Sequence, residues 1–168
     1  DVLFATSTRN DEPGTTPRPF DSERDGTVVG EGAGCLVLEE REHALQRGAR
    51  IHAEVLGFGT NCDGRPLTNP DAAVMEEVMR LGLADAGVDP AAVGYVDAHG
   101  TGTEIGDVAE SQAMAAVYGT DTPISSLKGH LGHTLGACGA LEAWMTIAMI
   151  REGWAAPTLN LSHVDERC

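Results

Sequence analysis

The chain has 168 residues and a formal net charge of −15, from 26 acidic and 11 basic residues. This length is sufficient for one domain with a hydrophobic core. The acidic balance argues against nucleic acid and anionic membrane surfaces as partners, because binding to either needs clustered Lys and Arg. The longest uncharged apolar stretches, such as 143–150, fall short of the roughly 20 residues that cross a bilayer, and no signal segment is visible. We therefore expect a cytoplasmic protein.

The four cysteines are widely spaced and form no C-x-x-C pair: Cys35, Cys62, Cys138 and Cys168. This pattern favours reduced thiols over a disulfide framework or a zinc site. Each is predicted to be a small buried hydrophobe and not a nucleophile. The chain does not begin with Met, its first residues are apolar with no cap or turn before them, and its last residues stop in a loop. We therefore expect a segment of a larger protein, with residues 1–26 as a connecting segment.

Strand and helix patterns alternate in the first half of the chain. An apolar run at 35–38 predicts a buried strand, 40–46 predicts a short helix ended by Gly48, and 51–59 predicts the return strand. Residues 69–71 predict the start of a helix that ends at Gly87. The pattern is typical of an α/β fold.

The second half continues the alternation. We predict a strand at 93–96, a helix that opens on a capping box of Asp107 and Glu110 and runs to 118, and an extended piece at 123–126. A final helix over 135–150 is apolar almost all the way round, which predicts burial on all sides. We expect sheets or a partner subunit to enclose this central helix.

Polar residues set among glycines mark the candidate site. His99 follows the predicted strand 93–96, and ligand sites in α/β proteins gather where strands end. His133 occupies a similar junction shortly after Lys128. Two imidazole N–H groups that converge on one oxygen would stabilise an oxyanion or enolate. Glu142 lies within the apolar helix, where a buried carboxylate needs a cation to neutralise it. The nearest cation in sequence is Lys128, so we predict a Lys128–Glu142 ion pair. The alternative is that Glu142 lies at a subunit rim and is solvated.

Three other motifs compete with this hypothesis. Residues 125–128 match S-x-x-K, the signature of a serine acyl-enzyme, but neither K-T-G nor S-D-N is present. His130 and His133 form a pair that suits a metal, yet no third ligand has an evident spacing. The glycines at 30–34 match neither G-x-G-x-x-G nor a P-loop, so close packing of a strand against a helix is the better interpretation.

In these motifs the chain resembles the β-ketoacyl-acyl carrier protein synthases of the elongating type, condensing enzymes with the thiolase fold. The resemblance extends over nearly the whole chain. It rests on these segments, in order: Pro-Phe-Asp at 19–21, Arg-Asp-Gly at 24–26, Gly-Glu-Gly-Ala-Gly at 30–34, Asp-Ala-His-Gly-Thr-Gly-Thr at 97–103, Gly-Asp at 106–107 with Glu110, Lys128 with Gly-His at 132–133, and Pro-Thr-Leu-Asn-Leu at 157–161.

The resemblance implies a thiolase-like layered α-β-α-β-α architecture, of which the chain is most of the C-terminal half. It implies that His99 and His133 hold the malonyl thioester oxygen, that Lys128 is the site lysine with Glu142 as its acidic partner, and that Thr101 and Thr103 contact the pantetheine arm. The reaction implied is decarboxylation of malonyl-carrier and Claisen attack on an acyl thioester. It requires no cofactor in this chain, since acyl carrier protein brings the phosphopantetheine, and the family implies a homodimer or a heterodimer with a related subunit.

The departures from the family pattern limit this expectation. The family's nucleophilic cysteine lies upstream of residue 1, so the isolated segment is not expected to condense acyl groups. Gly129 and His130 differ from many relatives. Acyl carrier protein is acidic like this chain, so docking would need a local basic patch or residues from the missing half of the protein, and Arg9 or Arg18 would contribute to such a patch. The alternative function is a non-catalytic chain-length-determining subunit, but such relatives usually lose the histidines and the lysine.

Overall fold

The computed structural model describes residues 5–66 and 68–168. The described residues form five α-helices, α1 to α5, at Arg41–Gln46, Ala72–Ala86, Glu104–Tyr118, Lys128–Leu131 and Cys138–Glu152. Two strands, β1 at Val96–Asp97 and β2 at Ile124–Ser125, pair in parallel with Val96 opposite Ile124. Short 3-10 turns lie at Pro13–Thr15, Pro90–Ala92 and Leu135–Ala137. Helices and a parallel strand pair agree with the predicted α/β class.

Helices α1 and α2 begin and end where the sequence indicated. The side chain of Glu40 caps α1 by accepting the N–H groups of Glu42 and His43. Asp71 caps α2 by accepting the N–H of Ala73 at 2.9 Å. Gly87 ends α2 with a φ of 64°, a left-handed conformation that suits glycine. Helix α2 then packs against α3.

Helix α3 begins three residues before the predicted capping box. Its N-cap is Thr103, which makes no side-chain capping bond, and its first residue is Glu104. Asp107 and Glu110 therefore lie inside the helix, and their carboxylates accept backbone N–H groups of the preceding loop. The capping-box prediction is wrong because these carboxylates serve non-local donors. The predicted end of the helix, at Gly119, is confirmed.

The two strands predicted at 35–38 and 51–59 do not form among the described residues, where both segments are unpaired. Their apolar side chains are exposed, with Val37 86% and Phe58 72% accessible. A buried strand requires a hydrogen-bonding neighbour as well as a covering layer. Gly57 and Gly59 pack against α2, but the described residues offer neither segment a neighbouring strand. The strand predicted at 93–96 is shorter and shifted, because only Val96 and Asp97 pair with β2.

Helix α5 is partly covered by the described residues. Met149 packs with Leu127 and Ala156 in a small core cluster. Trp144 and Ile150, by contrast, are 60% and 69% exposed. Other parts of the chain contact more than one side of the helix, since Gly34 packs against Ala140, but the described residues leave these two side chains exposed. Burial on all sides is therefore not provided by the described part of this chain, and enclosure by further sheets or a partner subunit stays a prediction. Helix α5 also starts later than predicted, after the 3-10 turn at Leu135–Ala137.

Residues near the two ends of the chain are joined by buried ionic contacts. Asp21, which is fully buried, accepts the N–H groups of Ser162 and His163 at 2.7 and 2.9 Å. Arg24 donates to Asp165 at 2.7 Å across 141 positions of sequence. The C-terminal loop thereby holds the segment around residue 21 against α3. In the described part of the chain, no helix is both long and apolar enough to cross a bilayer.

Candidate active site

His99 lies just beyond the end of β1, on a loop that two carboxylates of α3 hold in place. Glu110 accepts the backbone N–H groups of His99 and Gly100, each at 2.7 Å. Asp107 accepts the N–H of Gly102 at 3.1 Å. Burial raises the pKa of both carboxyls, and the N–H donors oppose that rise. This positioning role of Asp107 and Glu110 was not predictable from the sequence, because spacing along the chain does not reveal donors on a neighbouring loop.

The loop turns sharply at two glycines. Gly100 and Gly102 have φ values of 39° and 75°, and a Cβ on Gly100 would lie 2.5 Å from the Cβ of Ser126. Glycine is therefore required at position 100 by both conformation and space. The hydroxyls of Thr101 and Thr103 lie 3.0 Å apart on the same loop. Both threonines are half-buried beside the site, and their predicted contact with a pantetheine arm stays a prediction.

His133 follows α4 after a left-handed turn at Gly132, where φ is 70°. Its backbone N–H donates to Val28 O at 2.7 Å, and its carbonyl accepts the N–H of Gly30 at 3.0 Å. The N–H of Leu135 lies 3.1 Å from Nδ1 of the ring. Because a backbone N–H can only donate, Nδ1 acts as the acceptor and the neutral ring carries its proton on Nε2.

The two predicted histidines meet in space. The ring centroids of His99 and His133 are 5.1 Å apart and the rings are nearly perpendicular, at 88°. Loss of hydration lowers the pKa of both imidazoles, and the positive charge of Lys128 lowers each further. His99 keeps an exposed side, so water screens part of this effect there. Both rings are therefore neutral N–H donors at neutral pH.

Lys128 and Glu142 form the ion pair predicted from the sequence. Nζ of Lys128 lies 2.6 Å from Oε1 of Glu142, and the lysine side chain is only 1% exposed. The Glu142 side chain is 17% exposed. The structure thus disagrees with a fully solvated glutamate at a rim. Helix α4 supplies the cation and α5 supplies the anion, so the pair also fixes these two helices against each other.

Asp97 is a further buried carboxyl that the sequence analysis did not single out. Its Oδ2 accepts the hydroxyl of Thr146 at 3.0 Å, which ties β1 to α5. Its Oδ1 is buried and has no hydrogen-bond partner among the described residues. Burial raises its pKa to about 6, opposed by the Thr146 hydrogen bond and helped by the charge of Glu142. The burial of Asp97 could not be predicted from its position at the end of a strand, since a carboxylate at such a position commonly faces solvent.

The competing motifs have other uses. Ser125 is buried and donates to the carbonyl of Ala156 at 2.7 Å, so its hydroxyl is not placed as a free nucleophile. The ring of His130 contacts the carbonyl of Pro157 at 2.9 Å, whereas His133 faces His99, so the two histidines of this stretch do not converge on a metal. The serine acyl-enzyme and metal hypotheses therefore lose their geometric basis.

Two further expectations can be compared with the contacts. A Cβ on Gly32 or Gly34 would lie 2.7 or 2.8 Å from side chains of α5, so close packing against this helix is confirmed as the reason for these glycines. Arg18 is buried and lies 3.0 Å from Asp21, and Arg9 pairs with Asp25 at 3.7 Å. Carboxylates of this chain thus pair with both arginines, and their contribution to a basic docking patch stays a prediction.

Comparison with known proteins agrees with this geometry. Residues 52–162 match the family described as "Beta-ketoacyl synthase, C-terminal domain", and residues 4–44 match the N-terminal domain of the same name. The chain is 46% identical to "3-oxoacyl-[acyl-carrier-protein] synthase 2" of Coxiella burnetii, over 99% of this chain and 42% of that protein.

Solved structures give the same result. A beta-ketoacyl synthase from Burkholderia phymatum is 63% identical with a TM-score of 0.97, over 99% of this chain and 41% of that one. A ketosynthase in complex with a type II polyketide acyl-carrier protein, and bound to a hexaketide, is 35% identical with a TM-score of 0.91, over 99% and 42%.

These relatives confirm the predicted thiolase-like α/β fold class. The chain spans less than half of their length, namely 41% and 42% of the proteins compared. Both family matches, the close structural agreement and the meeting of the two histidines lead to one conclusion. The chain belongs to the β-ketoacyl synthase family.

Proposed function

We propose that the protein carrying this chain is an acyltransferase that catalyses decarboxylative Claisen condensation between an acyl thioester and malonyl-acyl carrier protein. The observation that carries this proposal is the perpendicular pair of His99 and His133, 5.1 Å apart, beside the buried Lys128. Malonyl decarboxylation breaks a C–C bond, releases CO₂ and leaves the electron pair on an enolate. Two neutral imidazole N–H groups are suited to stabilise that negative charge.

Lys128 supports the histidines electrostatically. Its positive charge disfavours a second cation nearby and so lowers the pKa of both imidazoles. Each ring is therefore neutral and keeps one N–H donor, and neither is an imidazolium that could protonate the enolate. Glu142 balances the buried ammonium. The enolate carbon then attacks the carbonyl carbon of the acyl thioester, and the departing thiolate leaves a β-ketoacyl product. The nucleophilic cysteine that holds the acyl group in this family is not among the matched motifs of the chain.

The proposed partner is an acyl carrier protein, which brings the phosphopantetheine arm, so that the chain itself needs no cofactor. Support comes from the relative solved in complex with such a carrier protein. Thr101 and Thr103 are the proposed contacts for the arm, because their hydroxyls lie together on the loop of His99. A homodimer and a cytoplasmic location complete the proposal. The intact His99, His133 and Lys128 favour a competent enzyme over a chain-length-determining subunit.

A decarboxylation assay with malonyl-acyl carrier protein tests the histidine roles in the full-length protein. We expect His99→Ala and His133→Ala each to lower the rate by roughly 10²–10³-fold, the effect of losing one oxyanion donor. His163→Ala is the matched control, since this histidine is exposed and contributes its backbone N–H to Asp21. Full decarboxylation in both active-site variants would contradict the proposal.

The same assay has an expected pH dependence. Because the pKa of both imidazoles lies below the usual value of 6.5, each ring is still mostly neutral at pH 6.5. The decarboxylation rate should therefore hold through pH 6.5 and fall only at lower pH, where the rings gain a proton. A rate that already halves between pH 7 and 6.5, with the protein still folded, would show that the rings titrate normally.

A further inference from the structure

Nδ1 of His133 has a second neighbour besides the N–H of Leu135. The sulfur of Cys138 lies 3.1 Å from this nitrogen. Cys138 is the first residue of α5 and is 7% exposed, so water does not compete for the contact. Leu135 N–H already requires Nδ1 to be an acceptor. The thiol must then contribute its S–H as a donor to the same nitrogen.

Thr134 completes a short chain of hydrogen bonds. Its hydroxyl donates to the sulfur of Cys138 at 3.4 Å, and Thr134 is itself buried at 8% exposure. The sulfur accepts from one side and donates on the other, so the two bonds point in one direction and polarise each other. This series of hydrogen bonds runs from Thr134 through Cys138 to His133 and involves no other titratable side chain.

We propose that Cys138 is a positioning residue for His133, holding the ring through an S–H bond in the tautomer that carries its proton on Nε2. This inference rests on the proposed function, since it concerns the histidine that would face the enolate. Cys138 does not touch the substrate in this role. Its thiol keeps Nδ1 occupied and so aims the Nε2 proton towards the reacting oxygen.

The electrostatic sign follows from the two protonation states of the ring. In the neutral ring Nδ1 accepts both donors, whereas the imidazolium presents an N–H there and meets the Leu135 N–H and the S–H head on. Donors to Nδ1 therefore stabilise the neutral ring. Among the described residues, the other charged or titratable groups that act on His133 are His99 on the loop after β1, Lys128 on α4 and Glu142 on α5. Removing the thiol leaves these three unchanged.

Deuterium exchange at the imidazole C2 position, followed by mass spectrometry of peptides, measures the titration midpoint of each histidine in the full-length protein. Cys138→Ala removes the donor, and we expect the midpoint of His133 to rise by roughly 0.5–1 pH unit, as the loss of one modest hydrogen bond implies. Cys138→Ser keeps a donor in a smaller side chain, so its shift should be less than half as large. This variant also covers the case in which the alanine variant folds poorly.

Cys62→Ala is the matched control, because Cys62 is exposed and should leave the midpoint of His133 unchanged. The midpoint of His130, whose ring contacts the carbonyl of Pro157 instead, serves as an internal reference in every sample. Decarboxylation of malonyl-acyl carrier protein gives a second readout. Its acid limb should move to higher pH in Cys138→Ala by the same amount as the His133 midpoint.

The outcomes separate the alternatives. An unchanged midpoint in Cys138→Ala would make Cys138 an inert hydrophobe, and a lowered midpoint would mean that the sulfur is a thiolate that stabilises an imidazolium. Either result overturns the inference. The exchange measurement needs no catalytic activity. A raised midpoint in a protein without decarboxylation would therefore support the positioning contact and refute the proposed function alone.

Discussion

The ion pair of Lys128 and Glu142 allows a sharp test of how the site is stabilised. Glu142→Gln keeps the shape of the side chain and removes its charge. The Lys128 ammonium, 1% exposed at the side chain, then loses a carboxylate 2.6 Å away. Removing one partner of a buried ion pair costs about 3–5 kcal/mol. Glutamine retains an acceptor oxygen, worth about 1 kcal/mol, and Glu142 is 17% exposed, so we expect a loss of roughly 2–3 kcal/mol.

Urea unfolding of the full-length protein measures this loss, provided that the transition containing this region is resolved. Lys128→Met serves as the second single variant, and the double variant closes a thermodynamic cycle. Because the double variant leaves no unpaired buried charge, it should be more stable than the sum of the single losses predicts, by about 1.5 kcal/mol or more.

Glu76→Gln on α2 provides a matched control. Glu76 pairs with Arg80 at 2.8 Å, but the two side chains are 34% and 51% exposed. An exposed pair of this kind contributes only about 0.3–0.5 kcal/mol. Equal, small losses in Glu142→Gln and Glu76→Gln, together with a coupling near zero, would refute the reasoning, because Lys128 would then be solvated when its partner is removed.

Two further substitutions test the supports of the site by the same unfolding measurement. Glu110→Gln should destabilise the protein by about 1.5–3 kcal/mol, since a buried carboxylate accepts two N–H groups at 2.7 Å, one of them from His99, and an amide can satisfy only one of them. A loss below 0.5 kcal/mol would show that the loop does not depend on this carboxylate. Gly129→Ala should cost about 1–3 kcal/mol, because its Cβ would lie 2.7 Å from the Cβ and 2.8 Å from the carbonyl oxygen of Leu159. Gly94→Ala, where a Cβ meets nothing within 4 Å, is its control, and equal stability of the two variants would contradict the close approach.

Features set by neighbouring residues were predictable from the sequence. Asp71 and Gly87 bound α2 as expected, because a cap or a left-handed turn needs only the local backbone and one side chain. The Lys128–Glu142 pair was also predictable, since a carboxylate in an apolar helix requires a cation and the choice nearby was small. The loop positions of His99 and His133 followed from the same local patterns.

Features that depend on distant contacts were not predictable. Asp107 accepts the N–H of Phe20 across 87 positions, a bond that no local spacing announces. The apolar runs at 35–38 and 51–59 have the composition of strands, but pairing depends on a neighbouring strand and not on the run itself. The contact of Cys138 with His133 was equally hidden, because it depends on the 3-10 turn that brings α5 back towards the histidine.

The joined ends of the chain have a consequence for biosynthesis. Arg24 leaves the ribosome 141 residues before Asp165, its partner. At about 5–20 residues per second, this separation corresponds to roughly 7–28 s of translation. During that interval the segment around Asp21 and Arg24 lacks the carboxylate and the N–H groups that later bury it. Closure of this region therefore waits until Asp165 has been made, and until then the segment that carries these charges stays open to proteases and chaperones.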